Sequence, residues 1–96
     1  MVIAVCTITL HLHDNRSLKG KRQVVRPLVE KVRARFNASV AEVGDQELWQ
    51  RAVVGVACVS GDAHHANEMI DRIVDFVEAH AAAEVLDYQV ELVHAL

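Results

Sequence analysis

The lysine and arginine residues that could bind an anionic ligand are concentrated in one segment of this 96-residue sequence. Between Arg16 and Arg35 there are eight lysine and arginine residues and one acidic residue, a net charge of +7. Between Asp62 and Glu91 the balance is reversed, with eight acidic residues and one arginine, a net charge of −7. A dense group of cations can neutralise the phosphates of RNA or DNA, or contact an acidic protein surface. The predicted phosphate-binding residues are Lys19, Lys21, Arg22, Arg26 and Arg33.

The opposite charges of the two segments also allow a purely structural interpretation. If the segments form neighbouring helices, their basic and acidic flanks can face each other, and each exposed pair then contributes at most about 1 kcal/mol. Eight cations around one helix cannot all point toward one neighbour, however. We therefore expect part of the segment to face solvent, namely some of Lys19, Arg22, Arg26 and Arg33.

Histidine side chains form a second group with ligand-binding chemistry. His11 and His13 share one face of a predicted strand, as zinc or nickel ligands would need. We expect the ends of the first and third strands and the starts of both helices to meet at one edge, and that edge would also hold Asp14, Asp62, His64 and His65. No short motif supplies a third ligand, so no metal site is predicted.

The same edge offers an alternative ligand, a phosphate. Free N–H groups at a helix N-terminus attract anions, and Arg16, Ser17 and Lys19 lie beside the start of the first helix. Catalysis has little support, because there is no Gly-rich phosphate loop, no nucleophile elbow and no pair of carboxylates placed in a cleft. We expect a protein that is not an enzyme and has no cofactor.

The first half of the sequence predicts four elements. Alternation over residues 2 to 12 predicts a strand, and helical spacing after Ser17 predicts a helix over about 17 to 36, which Pro27 should kink or loosen. A short strand follows over residues 38 to 43, with a hairpin loop at Gly44-Asp45. The nearly continuous apolar run from 51 to 60 predicts a central strand buried on both faces, where Gly55 suggests close approach of a helix backbone.

The second half completes the fold with a helix and a strand. An amphipathic helix follows the capping segment Ser60-Gly61-Asp62. Residues 84 to 95 predict a strand whose core-facing side is formed by Leu86, Tyr88, Val90 and Leu92. This order predicts one ferredoxin-like βαββαβ domain over residues 1 to 96, a two-layer α+β sandwich with a four-stranded antiparallel sheet and both helices on one face.

The uncovered face of this sheet predicts a protein partner. Val53 and Ala57 would leave an apolar patch in water, and Trp49 either covers the sheet edge or anchors a partner. We therefore expect a homodimer that uses this face or the adjacent hairpin. Base stacking on the same face is disfavoured, because the outward positions of its strands lack aromatic residues.

The two cysteines and the hydropathy of the sequence indicate the cellular compartment of the protein. Cys6 and Cys58 lie inside predicted strands without partners at metal-ligand spacing, and they are interpreted as buried free thiols. No apolar run approaches the length of a membrane span, and no signal peptide is recognised at the start. We expect a cytoplasmic protein without membrane association.

Several segments together resemble the YlxP-like family of small bacterial domains of unknown function. They cover nearly the whole chain: Ser17-Leu18-Lys19, Lys21-Arg22, Arg35-Phe36-Asn37, Ser39-Val40-Ala41-Glu42-Val43, Leu48-Trp49-Gln50-Arg51-Ala52, Gly55-Val56-Ala57 and Val59-Ser60. The resemblance implies a ferredoxin-like fold. Relatives are commonly encoded beside genes for translation initiation and ribosome-maturation factors, which suggests a role near RNA. Gly20 departs from the longer polar residue of similar proteins and should loosen the first helical turn.

Two functional hypotheses follow from these observations. The first is a non-enzymatic RNA- or ribosome-associated accessory protein that binds phosphates through its first helix. The alternative is a dimeric module that senses a small molecule or binds a protein and has no nucleic-acid role.

Overall fold

The computed structural model describes residues 1–96 and confirms the predicted ferredoxin-like architecture. The four strands and the first helix begin and end within one residue of their predicted bounds, and the second helix begins directly after its predicted capping segment. The elements are β1 (Val2–His11), α1 (Leu18–Arg35), β2 (Ser39–Gly44), β3 (Arg51–Ser60), α2 (Ala63–His80) and β4 (Glu84–His94). The sheet has the order β2-β3-β1-β4, and every neighbouring pair is antiparallel. Neither helix has the unbroken apolar length that a bilayer crossing requires.

The core lies between the sheet and the two helices. Alternate residues of β1, from Ala4 to Leu10, are buried beneath the helices, and they belong to a cluster of 20 buried apolar residues. Both helices contribute one apolar stripe, exemplified by Val32 on α1 and Ile70 on α2. Cys6 and Cys58 are part of this cluster as free thiols. Burial of these side chains supplies the main driving force for folding.

The central strand β3 is buried on one face, and the prediction of burial on both faces is wrong. Its residues alternate between buried positions beneath the helices and half-exposed positions on the opposite face. Gly55 lies on that opposite face, and a Cβ there would come within 2.8 Å of the Val43 side chain of β2. The close approach is therefore made by a neighbouring strand, because both helices pack on the other side.

The prediction for β4 fails at Leu86. The pairing of β1 with β4 shifts between Thr9 and Leu10, so that Leu10 pairs with Val85 and Thr9 with Asp87. This irregularity places Val85 against the core and leaves Leu86 half exposed. A bulge adds one residue to a strand, so the alternation of side chains between the two faces is interrupted there. A prediction that assumes strict alternation therefore assigns residues on one side of the bulge to the wrong face.

The loop before α1 is ordered by hydrogen bonds, and Gly20 does not loosen the first turn. The Ser17 side chain caps the helix by accepting a hydrogen bond from the Gly20 N–H at 2.9 Å. Asn15 Nδ2 donates to the Ser17 carbonyl at 2.9 Å and to the Trp49 carbonyl. Because Gly20 has no side chain, the Asn15 side chain can occupy the space beside it. The helix then runs without a break through Pro27, which is exposed.

Candidate phosphate-binding surface on the first helix

Four of the five predicted phosphate-binding residues lie along one flank of α1. Lys19, Arg22, Arg26 and Arg33 are exposed, and their spacings of three, four and seven residues place them on the same side of the helix. The flank extends over about 21 Å at the helical rise per residue. Arg26 and Arg33 border a groove together with Glu30, the acidic residue of the same flank, and β2 closes the groove on its other side at Glu42. We call these four residues the basic ridge; it follows the β2 edge of the sheet.

The acidic residues of α2 do not cover the basic ridge. The structure contains four ion pairs, and none of them joins α1 to α2. The helices meet instead through Phe36 and Phe76, whose rings are 5.6 Å apart, with the Arg35 guanidinium 5.4 Å from the Phe76 ring. Asp71 and Glu78 lie about 140° to 160° around α2 from Phe76, and both are exposed. The two charged segments therefore face opposite edges of the molecule.

Lys21 is not part of the exposed surface, and its predicted role in phosphate binding is wrong. Only 1% of the residue is exposed, and its ammonium donates hydrogen bonds to the carbonyls of Asp45 at 2.7 Å and Arg51 at 3.1 Å. Lys21 Nζ also lies 3.0 Å from Glu42 Oε2, at ion-pair distance but without hydrogen-bond geometry. These partners are fixed in the β2–β3 hairpin, so Lys21 holds the hairpin against α1.

Arg33 combines exposure with a structural contact. Its Nε and Nη2 atoms donate to the Val40 carbonyl at 3.1 and 2.6 Å. β2 is an edge strand, and Arg33 satisfies one of its outward carbonyls, which protects the edge from pairing with another chain. Three N–H groups of the guanidinium are left for other acceptors.

The histidines do not gather at one edge, and that prediction is wrong. β1 and β3 are antiparallel, so His11 pairs with Arg51 at one end of the sheet while Ser60 pairs with Val2 at the other. The predicted group is consequently divided between two ends separated by the full length of the strands. His11, His13 and Asp14 lie at one end, whereas Asp62, His64 and His65 lie at the other.

The histidines that remain together have their own local contacts. The rings of His11 and His13 are 4.1 Å apart, and His13 Nε2 lies 3.1 Å from Glu84 Oε2. No group of three or more histidine, cysteine, aspartate or glutamate side chains is placed to hold a metal ion. At the start of α1, the capping oxygen of Ser17 already accepts the Gly20 N–H.

The predicted partner residues lie on or beside the uncovered side of the sheet, which we call the open face. Val53 and Ala57 are half exposed there. Trp49 is 54% exposed and does not cover the core; it borders a groove of about 630 Å³ with His11 and Leu86 at the end of the sheet. The most exposed valines of the open face are Val5, Val43, Val59 and Val93. Their exposed fractions range from 37% to 60%.

Sequence reasoning missed Glu42 and Asn15. Glu42 is the acidic partner of Lys21, and it follows the buried Val40 by two residues on the same side of β2. That spacing was a usable signal, because an acid on the core-facing side of a strand needs a cation. Asn15 carries no comparable signal, since its bond to the Trp49 carbonyl joins residues 34 positions apart.

An open antiparallel sheet with two helices on one face defines this protein as a ferredoxin-like α+β domain, here with a cationic flank on the first helix. Residues 3–90 match the family described as protein of unknown function DUF503, and the chain belongs to that family. It is similar to the uncharacterized protein YlxP of Bacillus subtilis (strain 168), with 33% identity over 73 residues. The alignment covers 76% of this chain and 79% of that protein. The resemblance to YlxP-like domains is thereby confirmed.

Proposed function

We propose that this protein is a non-enzymatic RNA- or ribosome-associated accessory protein of the cytoplasm, which binds RNA phosphates through the basic ridge. The observation that carries the proposal is the exposure of Lys19, Arg22 and Arg26 on a flank that has no ion pair to α2. Guanidinium groups match phosphate oxygens in geometry and charge. The acidic edge opposite the ridge repels RNA, so it favours a single orientation of the bound molecule.

The ridge suits recognition of backbone shape and not of base sequence. Phosphate contacts position a protein on nucleic acid without reading bases. The strands of the open face carry no phenylalanine, tyrosine or tryptophan on which bases could stack: β1 and β3 present Thr7, Thr9 and several valines, and Trp49 lies in the loop at the end of the sheet. Tyr88 pairs with Ile8 and so lies on the helix-covered side of the sheet. A structured RNA, in which phosphates have fixed spacing, is the expected ligand.

The salt dependence of binding tests the proposal. Three or four neutralised phosphates predict a slope of about −3 in a plot of log affinity against log salt concentration. Affinity for a short RNA hairpin should therefore fall about 60-fold between about 50 mM and 200 mM salt. Fluorescence anisotropy of a labelled hairpin measures both values. A slope near zero would contradict binding through the ridge.

Charge-reversal variants on the ridge and on another flank of the same helix provide a second test of RNA binding. Arg26→Glu should weaken hairpin binding at low salt, and Arg22→Glu with Arg26→Glu should nearly abolish it, because each reversal replaces an attraction with a repulsion. Lys31→Glu is the control. Lys31 is exposed on the same helix but lies about 140° from Arg26, on another flank. Retained binding in the double variant, or equal loss in Lys31→Glu, would overturn the proposal.

We further propose that the protein is a homodimer whose subunits pair through the open face. The four strands give this face a footprint of roughly 600 Å², of the order of the ~800 Å² per partner in stable interfaces. Its two rims are complementary: Asp87 and Glu91 line the β4 side, and Arg33 borders the groove on the β2 side. A twofold axis parallel to the strands lays β4 of one copy over β2 of the other. Lys19, Arg22 and Arg26 of the ridge are left free for RNA.

Sedimentation velocity at micromolar concentration tests the dimer. The wild-type chain should sediment as a dimer, and Val5→Asp should sediment as a monomer because it places a charge at the centre of the contact. Val90→Asp is the control, since Val90 is 41% exposed, close to the 37% of Val5, but pairs with Cys6 on the helix-covered side. A wild-type monomer, or a Val5→Asp dimer, would refute the pairing.

A further inference from the structure

A cavity of about 650 Å³ lies between the end of α1 and the first half of α2, away from the basic ridge. Arg35, Asn37, His65 and Arg72 form its polar lining, and Phe36 and Met69 belong to its apolar wall. Arg35 comes nine residues after Arg26, which places it about 180° around α1 from the ridge. The cavity is therefore separate from the surface proposed to bind RNA.

The two arginines bring positive charge together without a carboxylate. Neither Arg35 nor Arg72 takes part in any of the four ion pairs of the structure. Arg72 is the only lysine or arginine of α2, and Glu68, one turn before it, is held at 2.7 Å by His64. Two cations beside one cavity whose lining holds no carboxylate give it a positive potential, which attracts an anion.

His65 adds a third donor whose orientation is set by Ser60. Ser60 is buried; its hydroxyl accepts the Asp62 N–H at 3.2 Å and forms a hydrogen bond with His65 Nδ1 at 3.0 Å. Nε2 lies on the opposite side of the ring and carries the imidazole proton when the Ser60 hydroxyl donates to Nδ1. The ring thus offers an N–H to a ligand without a competing acceptor from the protein.

We propose that this cavity binds a small organic phosphate, an anion with an attached apolar or aromatic group. The arginines and the His65 Nε2–H bind the phosphate oxygens, and the wall formed by Phe36 and Met69 contacts the apolar group. The volume lies within the range of small-molecule sites, about 300 to 1,000 Å³. An inorganic anion alone would fill only a part of it.

The test compares three probes by isothermal titration and by the NMR signals of the Arg and His65 side chains. Phenyl phosphate should bind saturably and shift the signals of Arg35, His65 and Arg72. Benzoate and inorganic phosphate should bind at least about tenfold more weakly, because each lacks one of the two features that the cavity matches. Absence of saturable phenyl phosphate binding, or equal binding of all three probes, would overturn the proposal.

Substitutions separate this site from the RNA surface. Arg72→Met and Arg35→Met should each weaken phenyl phosphate binding about tenfold, the effect of one lost charged hydrogen bond. Both residues are exposed, so the melting temperature serves as a check that the variants are folded. Arg26→Glu should leave phenyl phosphate binding unchanged. If Arg72→Met abolished RNA binding and left phenyl phosphate binding intact, the cavity would belong to the RNA surface and the proposal would be wrong.

Discussion

Lys21 Nζ lies 3.0 Å from Glu42 Oε2, in a contact that joins the first turn of α1 to the edge strand β2. The Lys21 side chain is 2% exposed and that of Glu42 is 22% exposed. Burying this cation is tolerated because two backbone carbonyls of the hairpin accept two of its hydrogens and Glu42 supplies the opposite charge. The cationic segment of the sequence thus contains one residue that stabilises the fold and others that face solvent.

Removal of the buried ammonium is expected to destabilise the protein. Lys21→Met leaves the carboxylate of Glu42 and the carbonyls of Asp45 and Arg51 without their partner, at a cost of about 3 kcal/mol in the free energy of unfolding. Urea denaturation measures the change. Lys19→Met is the control, because Lys19 is exposed and its loss should change stability by less than about 0.5 kcal/mol. Equal effects of the two substitutions would contradict the structural role of Lys21.

The exposed cations of the ridge should contribute little to stability. Since Arg26 has no ion pair with α2, Arg26→Glu should change the free energy of unfolding by less than about 0.5 kcal/mol at low salt. If the two helices were instead held together by their opposite charges, the reversal would destabilise the protein, and added salt would reduce the difference. Denaturation of both proteins at low and high salt distinguishes these outcomes.

Gly20 and Asn15 should be coupled energetically. Alanine is about 1 kcal/mol more favourable than glycine within a helix. At position 20, however, a methyl group would overlap the Asn15 side chain and disturb its hydrogen bonds to Ser17 and Trp49. Gly20→Ala should therefore stabilise the Asn15→Ala variant by about 1 kcal/mol and the wild type by less. A double-mutant cycle measures the coupling, and strictly additive free energies would show that the two residues act independently.

The cysteines should be unreactive in the folded protein and should make it sensitive to alkaline pH. Burial, together with the neighbouring Cys58, raises the pKa of Cys6 from 9.0 to about 11, and burial raises the pKa of Cys58 as well. Above pH 9 the unfolded chain loses the thiol proton while the folded chain keeps it. The resulting stability is full below pH 9 and is lost as the pH rises to about 11.

Two measurements check the behaviour of the thiols. Iodoacetamide at pH 8 should modify neither cysteine in the native protein and both in urea, since the thiolate is the reactive form. Between pH 8 and pH 10, Cys6→Ala should lose less of its unfolding free energy than the wild type, because one of the two titrating thiols is gone. Rapid native modification of Cys6 would show that the strand opens more readily than its burial implies.

The elements could be predicted because each has a local signal. The capping Ser17 and the apolar spacing of α1 located the first helix, and the alternation of β1 located its buried side. The incorrect predictions for β3 and β4 concern contacts between different strands. Nothing local indicates that the pairing of β4 shifts at Thr9, or that Val43 of a neighbouring strand fills the space above Gly55.

The candidate site was also predicted in part. The number of cations on one helix predicted that some of Lys19, Arg22, Arg26 and Arg33 face solvent, and all four are exposed. Residue spacing could not show that Lys21 is buried while the neighbouring cations are exposed, because the partners of Lys21 are 21 to 30 residues away in the hairpin. The histidines were misplaced for a related reason: the direction of β3 relative to β1 determines which ends meet.

The sequence by itself determined the order of the elements, the apolar faces that bury the core and the division of charge into a basic and an acidic segment. These features depend on residue type and on spacings of two to four residues, which local geometry sets. Only the tertiary structure decided which cation is buried, that α2 leaves the basic ridge uncovered, and that Arg35 and Arg72 meet at one cavity. Those outcomes depend on how elements far apart in the chain pack together.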